Sequence, residues 1–151
     1  MKVAFIRHAR PIDPTNFTGD DRHRPLSRPG KKAFNYQLAT WKRLQISFDH
    51  VVTSPYLRTV QTANLIRKRC LVKTAPVICD AIQLSAHLPA FFDQLSTYDY
   101  SSIGVVTHEP VIHDLLQHYF PYYCPSITIT PGTMIQLTIG PTIMINSVIQ
   151  L

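Results

Sequence analysis

Apolar and polar positions alternate along the chain in two periods, and the changes of period mark out its elements. Val3 to Ile6 is a short unbroken apolar run, the pattern of a parallel strand buried on both faces. From Ser27 to about Leu44 the period lengthens. Phe34, Leu38, Trp41 and Leu44 recur at helical spacing, with Ser27 as the expected N-cap. His50 to Thr53 reads as a second strand. Ser54-Pro55 then serves as an expected N-cap and N1 proline for a helix carrying Leu57, Val60, Ala63 and Ile66. Ala75 to Cys79 is expected as a third strand, Leu88 to Leu95 as a short helix and Ile103 to Thr107 as a fourth strand. Another helix is expected from about Pro110, with Val111, Ile112, Leu115, Leu116 and Tyr119 facing inward. The last segment alternates Ile135, Leu137 and Ile139, breaks at Gly140-Pro141 and resumes through Ile143 and Ile145, which is a hairpin pattern.

Strands alternating with helices and ending in a hairpin predict a three-layer α/β/α sandwich, its sheet mainly parallel with an antiparallel C-terminal edge hairpin. No repeat, linker or low-complexity tract intervenes. The 151 residues therefore read as a single domain, 1–151, with one genuine core. In such sheets ligands gather at the carboxyl ends of the strands. Arg7-His8 follows the first strand, Arg58 lies in the first turn of the helix after the second, and His108 follows the fourth.

Those side chains suit phosphoryl transfer. Arginine offers permanently charged planar forks for phosphate oxygens, and a neutral imidazole is a good nitrogen nucleophile near pH 7. A second imidazole can donate to an oxygen whose charge grows in the transition state. Singly, each residue has an ordinary reading: a chance Arg-His pair, a solvated helix arginine, a loop histidine. Their joint placement at strand ends is what selects them.

Composition narrows the partner. Hydrophobic content of 45% and charged content of 16% describe a folded globular chain. No apolar run approaches a bilayer span, and charge interrupts the opening Met1–His8 before a signal-peptide core develops, so a cytoplasmic protein without membrane attachment is expected. Cys70, Cys79 and Cys124 are odd in number and widely spaced, as reduced, semi-buried thiols would be. The net charge of +6 favours an anionic ligand. Its clusters, Arg22 to Lys32 and Arg67-Lys68-Arg69, lack the aromatic interleaving and the zinc frames of nucleic-acid binders, so no nucleic-acid partner is expected.

Four blocks carry a resemblance. Val3-Ala4-Phe5-Ile6-Arg7-His8-Ala9 resembles the "RHG/RHA" opening of the histidine phosphatase superfamily, whose fold is phosphoglycerate mutase-like. Arg24-Pro25-Leu26-Ser27-Arg28-Pro29-Gly30 is similar to the "RPLTxxG" segment of its small bacterial members. Thr53-Ser54-Pro55-Tyr56-Leu57-Arg58-Thr59-Val60-Gln61-Thr62-Ala63 resembles the "SPxxRxxQTA" block, and Val105-Val106-Thr107-His108-Glu109-Pro110 the "VxHxP" block. In its compact length the chain is most similar to the SixA-type phosphohistidine phosphatases. The resemblance implies that His8 is the nucleophile and that Arg7, Arg58 and His108 form the phosphate pocket, with no metal and no cofactor. It implies a phosphorylated protein as substrate, such as a phosphotransfer domain, with a small phosphoryl compound as the alternative. A silent phosphate-binding scaffold is the non-enzyme rival.

Two departures bear on mechanism. Larger relatives carry a general-acid carboxylate after the third strand, where this chain offers Asp80 and no glutamate. Another branch places the acid directly after the second histidine, where Glu109 stands; a structural role at a helix start is the favoured reading for it. The short chain also lacks room for the insertions of the mutases, so an open, shallow site is expected. A zinc site on His108-Glu109-Pro110-Val111-Ile112-His113 is disfavoured, because the spacing has one residue too many for HExxH.

Overall fold

The computed structural model describes residues 1–69, 72, 74–84, 91–92, 95, 97, 99–122 and 127–150. Its strands are β1 (Lys2–Arg7), β2 (His50–Thr53), β3 (Val77–Ile78), β4 (Ser102–Thr107), β5 (Met134–Ile139) and β6 (Ile143–Ile149). They form one sheet in the order β3-β2-β4-β1-β5-β6. The first four neighbours run parallel, and β5 and β6 are antiparallel additions beside β1. The expected sandwich with its C-terminal hairpin is the observed one.

Period-two pleating sorts the strand residues into two cores. Ala4, Ile6, Val51 and Val106 pack with Phe34, Leu38 and Trp41 of α1 (Arg28–Arg43) and with Ala63 and Ile66 of α2 (Leu57–Arg69). Val3, Phe5, Val52, Ile103 and Val105 pack on the other face with Ile112, Leu115 and Leu116 of α3 (Glu109–Tyr119), and with Phe91 and Leu95. Burial on both faces is why β1 reads as an unbroken apolar run.

Ser27 caps α1 as expected, its hydroxyl accepting from the Gly30 N–H at 3.0 Å. Gly30 is required there, because a Cβ would lie 2.1 Å from the Arg10 carbonyl oxygen, where the chain after β1 crosses the helix start. Several expectations are corrected. Leu44 does not face the core: α1 ends at Arg43, Gln45 turns at φ 56, Leu44 is left exposed and Ile46 packs in its place. Ser54-Pro55 does not start α2, which begins at Leu57. The third strand is only Val77–Ile78, half exposed because it forms the sheet edge. Within 88–95, Phe91, Phe92 and Leu95 are helical and the rest lie outside the described residues, as do Cys70 and Cys124; Cys79 is buried.

Candidate active site

Because β4 lies between β1 and β2, three parallel strands end side by side. Arg7 pairs with Thr107 in register, and Thr53 pairs with Val106. His8 continues the ladder one step, its N–H donating to the Thr107 carbonyl at 3.0 Å, and the Ser54 N–H donates to Val106 at 3.0 Å. The sheet therefore delivers Arg7, His8, Ser54 and His108 to one edge, and α2 adds Arg58 in its first turn.

The His8 Nδ1 lies 2.8 Å from the Ala9 carbonyl oxygen. That oxygen only accepts, so Nδ1 carries the proton and Nε2 keeps its lone pair. Arg58 Nε donates to this lone pair at 3.3 Å. Burial chiefly pushes the His8 pKa down to about 4; the bond to Ala9 opposes the shift, and the charges of Arg58, Arg7 and Arg24 reinforce it. His8 is accordingly neutral at pH 7, the form a nucleophile requires.

The His108 ring stands 5.4 Å from that of His8, edge to face. Burial, then His8 and Arg58, lower its pKa to about 3. Its Nε2 shares a hydrogen bond of 2.9 Å with the Ser54 hydroxyl. This explains the corrected N-cap: the Ser54 side chain serves His108 instead of the α2 start, while the single Thr59 O–H is shared between the Ser54 and Tyr56 carbonyls, 2.8 and 2.6 Å away. Ser54→Ala would leave a buried ring nitrogen unpartnered, at a cost of about 1–3 kcal/mol. Steady-state kinetics should show kcat falling more than KM changes, with Ser54→Thr recovering part of the loss.

Arg7 donates from Nη1 to the Ile129 carbonyl at 2.5 Å. Burial lowers its pKa and the charge of Glu109, first residue of α3, opposes this. Among the described residues three buried side-chain nitrogens lack a partner: Arg7 Nε, His108 Nδ1 and Trp41 Nε1. Two of the three belong to this cluster. Buried polar atoms without a protein partner are rare, and the His108 ring lies beside that of His8.

The helix block also holds the loops around the site. Gln61 Oε1 accepts from the Leu26 N–H at 2.8 Å, which pins the Arg24-Pro25-Leu26 segment. The Thr62 hydroxyl accepts from the Ala9 N–H at 3.1 Å and donates to the Arg58 carbonyl at 2.7 Å, tying the loop after His8 to the helix of Arg58.

All four residues singled out from sequence, Arg7, His8, Arg58 and His108, converge. The side chains are sunken, not openly presented: His8, Arg58 and His108 are 6%, 3% and 1% exposed. The short Asp21–His23 turn lies over Arg58, with the Asp21 carboxylate 3.0 Å from Nη2. Sequence reasoning missed Asp21, Ser54 as a histidine partner, and Tyr56, whose ring lies 4.7 Å from the Arg58 guanidinium carbon. Only the charge cluster beginning beside Asp21 hinted at it. Asp80 is exposed, and no hydrogen bond joins it or Glu109 to the four site residues among the described ones. His113 is exposed on α3 while His108 is buried at its N-cap, and no group of three or more His, Cys, Asp and Glu suited to a metal occurs among the described residues.

A mainly parallel sheet with an antiparallel C-terminal pair is a fold that solved phosphatase structures share. The solved structures that share it include the protein histidine phosphatase SixA complexed with tungstate (TM-score 0.85, 19% identity, covering 98% of this chain and 96% of that one). A mycobacterial glucosyl-3-phosphoglycerate phosphatase complexed with VO3 matches at TM-score 0.72 and 12% identity, covering 96% of each chain. A phosphoserine phosphatase variant from Entamoeba histolytica, in complex with phosphoserine, matches at TM-score 0.71 and 12% identity, covering 97% of this chain and 95% of that one. No family model and no curated protein matches the sequence.

Proposed function

We propose that the chain is a single-domain, metal-independent phosphatase that removes phosphate from phosphohistidine of a protein partner through a phospho-His8 intermediate. The observation that carries this reading is a neutral imidazole whose Nε2 lone pair meets the Arg58 Nε–H at 3.3 Å, with the His108 ring beside it. The Nε2 lone pair attacks phosphorus and a P–N bond forms. The substrate's own P–N bond breaks, its electron pair going to the departing imidazole. Water then attacks phospho-His8, the electron pair of that P–N bond returns to Nε2, and phosphate leaves with the water's oxygen and its two protons.

Arg7, Arg58 and His108 meet the equatorial oxygens in this scheme: the two guanidiniums offset their charge, and the neutral His108 ring donates an N–H. The net charge of +6 suits an acidic phosphorylated partner. The neighbour named a protein histidine phosphatase supports the substrate class. Neighbours named for phosphoserine and glucosyl-3-phosphoglycerate favour the second reading, a small phosphomonoester.

Phosphate release from a phosphohistidine-bearing protein tests the proposal directly, and absence of release would overturn it. Within the same assay, Arg58→Ala should lose roughly 2–4 kcal/mol of transition-state stabilisation. The loss should exceed the change in affinity for inorganic phosphate, since charge redistributes on those oxygens only as the bond breaks. Equal losses in rate and in phosphate affinity would assign Arg58 to ligand holding alone.

A further inference from the structure

Arg58 has a second set of contacts that the catalytic scheme does not use. Its Nη1 donates to the Asp21 carbonyl at 2.9 Å, and its Nη2 lies 3.0 Å from the Asp21 carboxylate. Asp21 thus grips the end-on edge of the guanidinium with two different oxygens. A guanidinium is planar and carries five N–H groups in fixed directions. With the end-on edge held, the Nε–H and the second Nη2–H share the remaining side, and Nε–H is the group aimed at His8 Nε2. That pair is a bidentate fork facing the position where a phosphoryl group joins His8.

Asp21 is itself held from behind. Arg24 Nε contacts its carboxylate at 2.6 Å, and Arg24 Nη1 donates to the Ile12 carbonyl at 2.8 Å. Asp20 caps the turn, its carboxylate accepting from the Arg22 N–H at 2.9 Å. The Tyr56 ring supports the guanidinium face. We propose that Asp21 is the positioning residue of Arg58: by occupying one edge of the guanidinium, it turns the other edge to the phosphoryl group on His8.

Asp21 is unsuited to the general-acid role that its carboxylate near the site suggests. Burial works to raise its pKa, but the hydrogen bond from Arg24 and the charges of Arg58 and Arg24 outweigh burial and hold it below the ordinary value. It is ionised at neutral pH, which suits an anchor and not a proton donor.

The inference rests on the phosphatase reading above, and its test separates the two. Asp21→Ala removes the carboxylate that holds Nη2, and a reactant misplaced by about 1 Å can lose on the order of 10²-fold in rate. A kcat loss approaching that order is expected, with a smaller change in KM. Asp21→Asn keeps a side-chain oxygen that accepts from Nη2 and should recover most of the loss. Binding of inorganic phosphate, read by calorimetry, should weaken in Asp21→Ala and recover in Asp21→Asn. If Asp21→Ala does not fold, Asp21→Ser, whose side chain is too short to reach Nη2, replaces it. Full kcat in the alanine variant, or an asparagine variant as poor as alanine, would overturn the inference. A wild-type protein without turnover would sink the phosphatase reading instead, and the phosphate-binding comparison would still decide the role of Asp21.

Discussion

His8→Ala should abolish phosphate release, with a loss on the order of 10⁴-fold or more, because no second group replaces a missing nucleophile. The wild-type protein should carry a phosphoryl group during turnover that is labile in acid and stable in alkali, as a P–N bond is. Rapid quench with labelled substrate, followed by mapping of the labelled peptide, is the measurement. Full activity in His8→Ala, or label on another residue, would end the mechanism. The pH dependence follows from the same ring. A histidine pKa lowered to about 4 leaves Nε2 largely unprotonated at neutral pH. The acid limb of kcat/KM, corrected for the substrate's own ionisation, should therefore lie near pH 4, well below the ordinary histidine range. A limb at the ordinary histidine pKa of about 6.5 would mean that burial and the three arginines do not act on His8 as its contacts imply.

The largest discrimination is expected between leaving groups. Cleaving the P–N bond of a phosphoimidazole and the P–O bond of an alkyl ester requires the same nucleophile and the same positive clamp. The two differ in the proton that the departing atom needs. A phosphoimidazole takes its proton from solvent on the distal nitrogen before reaction and departs as neutral imidazole. An alkyl ester must receive a proton in the site as its bond breaks. The carboxylates here are poorly placed for that task. Asp21 is ionised and committed to two arginines. Asp80 is exposed, and Glu109 sits in the first turn of α3, where its charge acts on Arg7. Phosphohistidine should thus be turned over faster than an alkyl phosphate by about 10²–10⁴-fold, the usual contribution of a general acid. Aryl esters should fall between, ordered by leaving-group pKa. Comparable kcat/KM for phosphohistidine protein and alkyl phosphate would reveal a working acid, and Glu109→Gln, then Asp80→Asn, would locate it.

The layers of the fold were legible because burial writes itself into periodicity: the unbroken run of β1, the helical spacing of Phe34, Leu38 and Trp41, the alternation of β5. The placement of β4 between β1 and β2 was not legible, since strand order leaves no local pattern. Arg7, His8, Arg58 and His108 could be found because each is charged or titratable at a strand end. Ser54 was misassigned for a physical reason: Ser-Pro before a helical pattern normally caps it, and only the buried neighbour His108 draws the hydroxyl elsewhere. Asp21 was invisible because it lies in an irregular loop, where neither period nor cap announces a partner so distant in sequence as Arg58. That same loop sets the Asp21–Arg58 ion pair over the arginine, a contact that no insertion is needed to make.

The position of β4 has a kinetic consequence. The first strand is made early in the chain, yet its ladder to β4 joins Lys2 to Ser102 and Arg7 to Thr107. Contacts of such long range must meet their loop-closure entropy before any pairing offsets it, and they slow folding accordingly. The helices α1 and α2 can collapse on β1 and β2 without β4, but a molecule in that state holds His8 and Arg58 without His108 and without the Thr107 carbonyl that extends the ladder to His8. In this topology His8, Arg58 and His108 come together only when β4 enters the middle of the sheet.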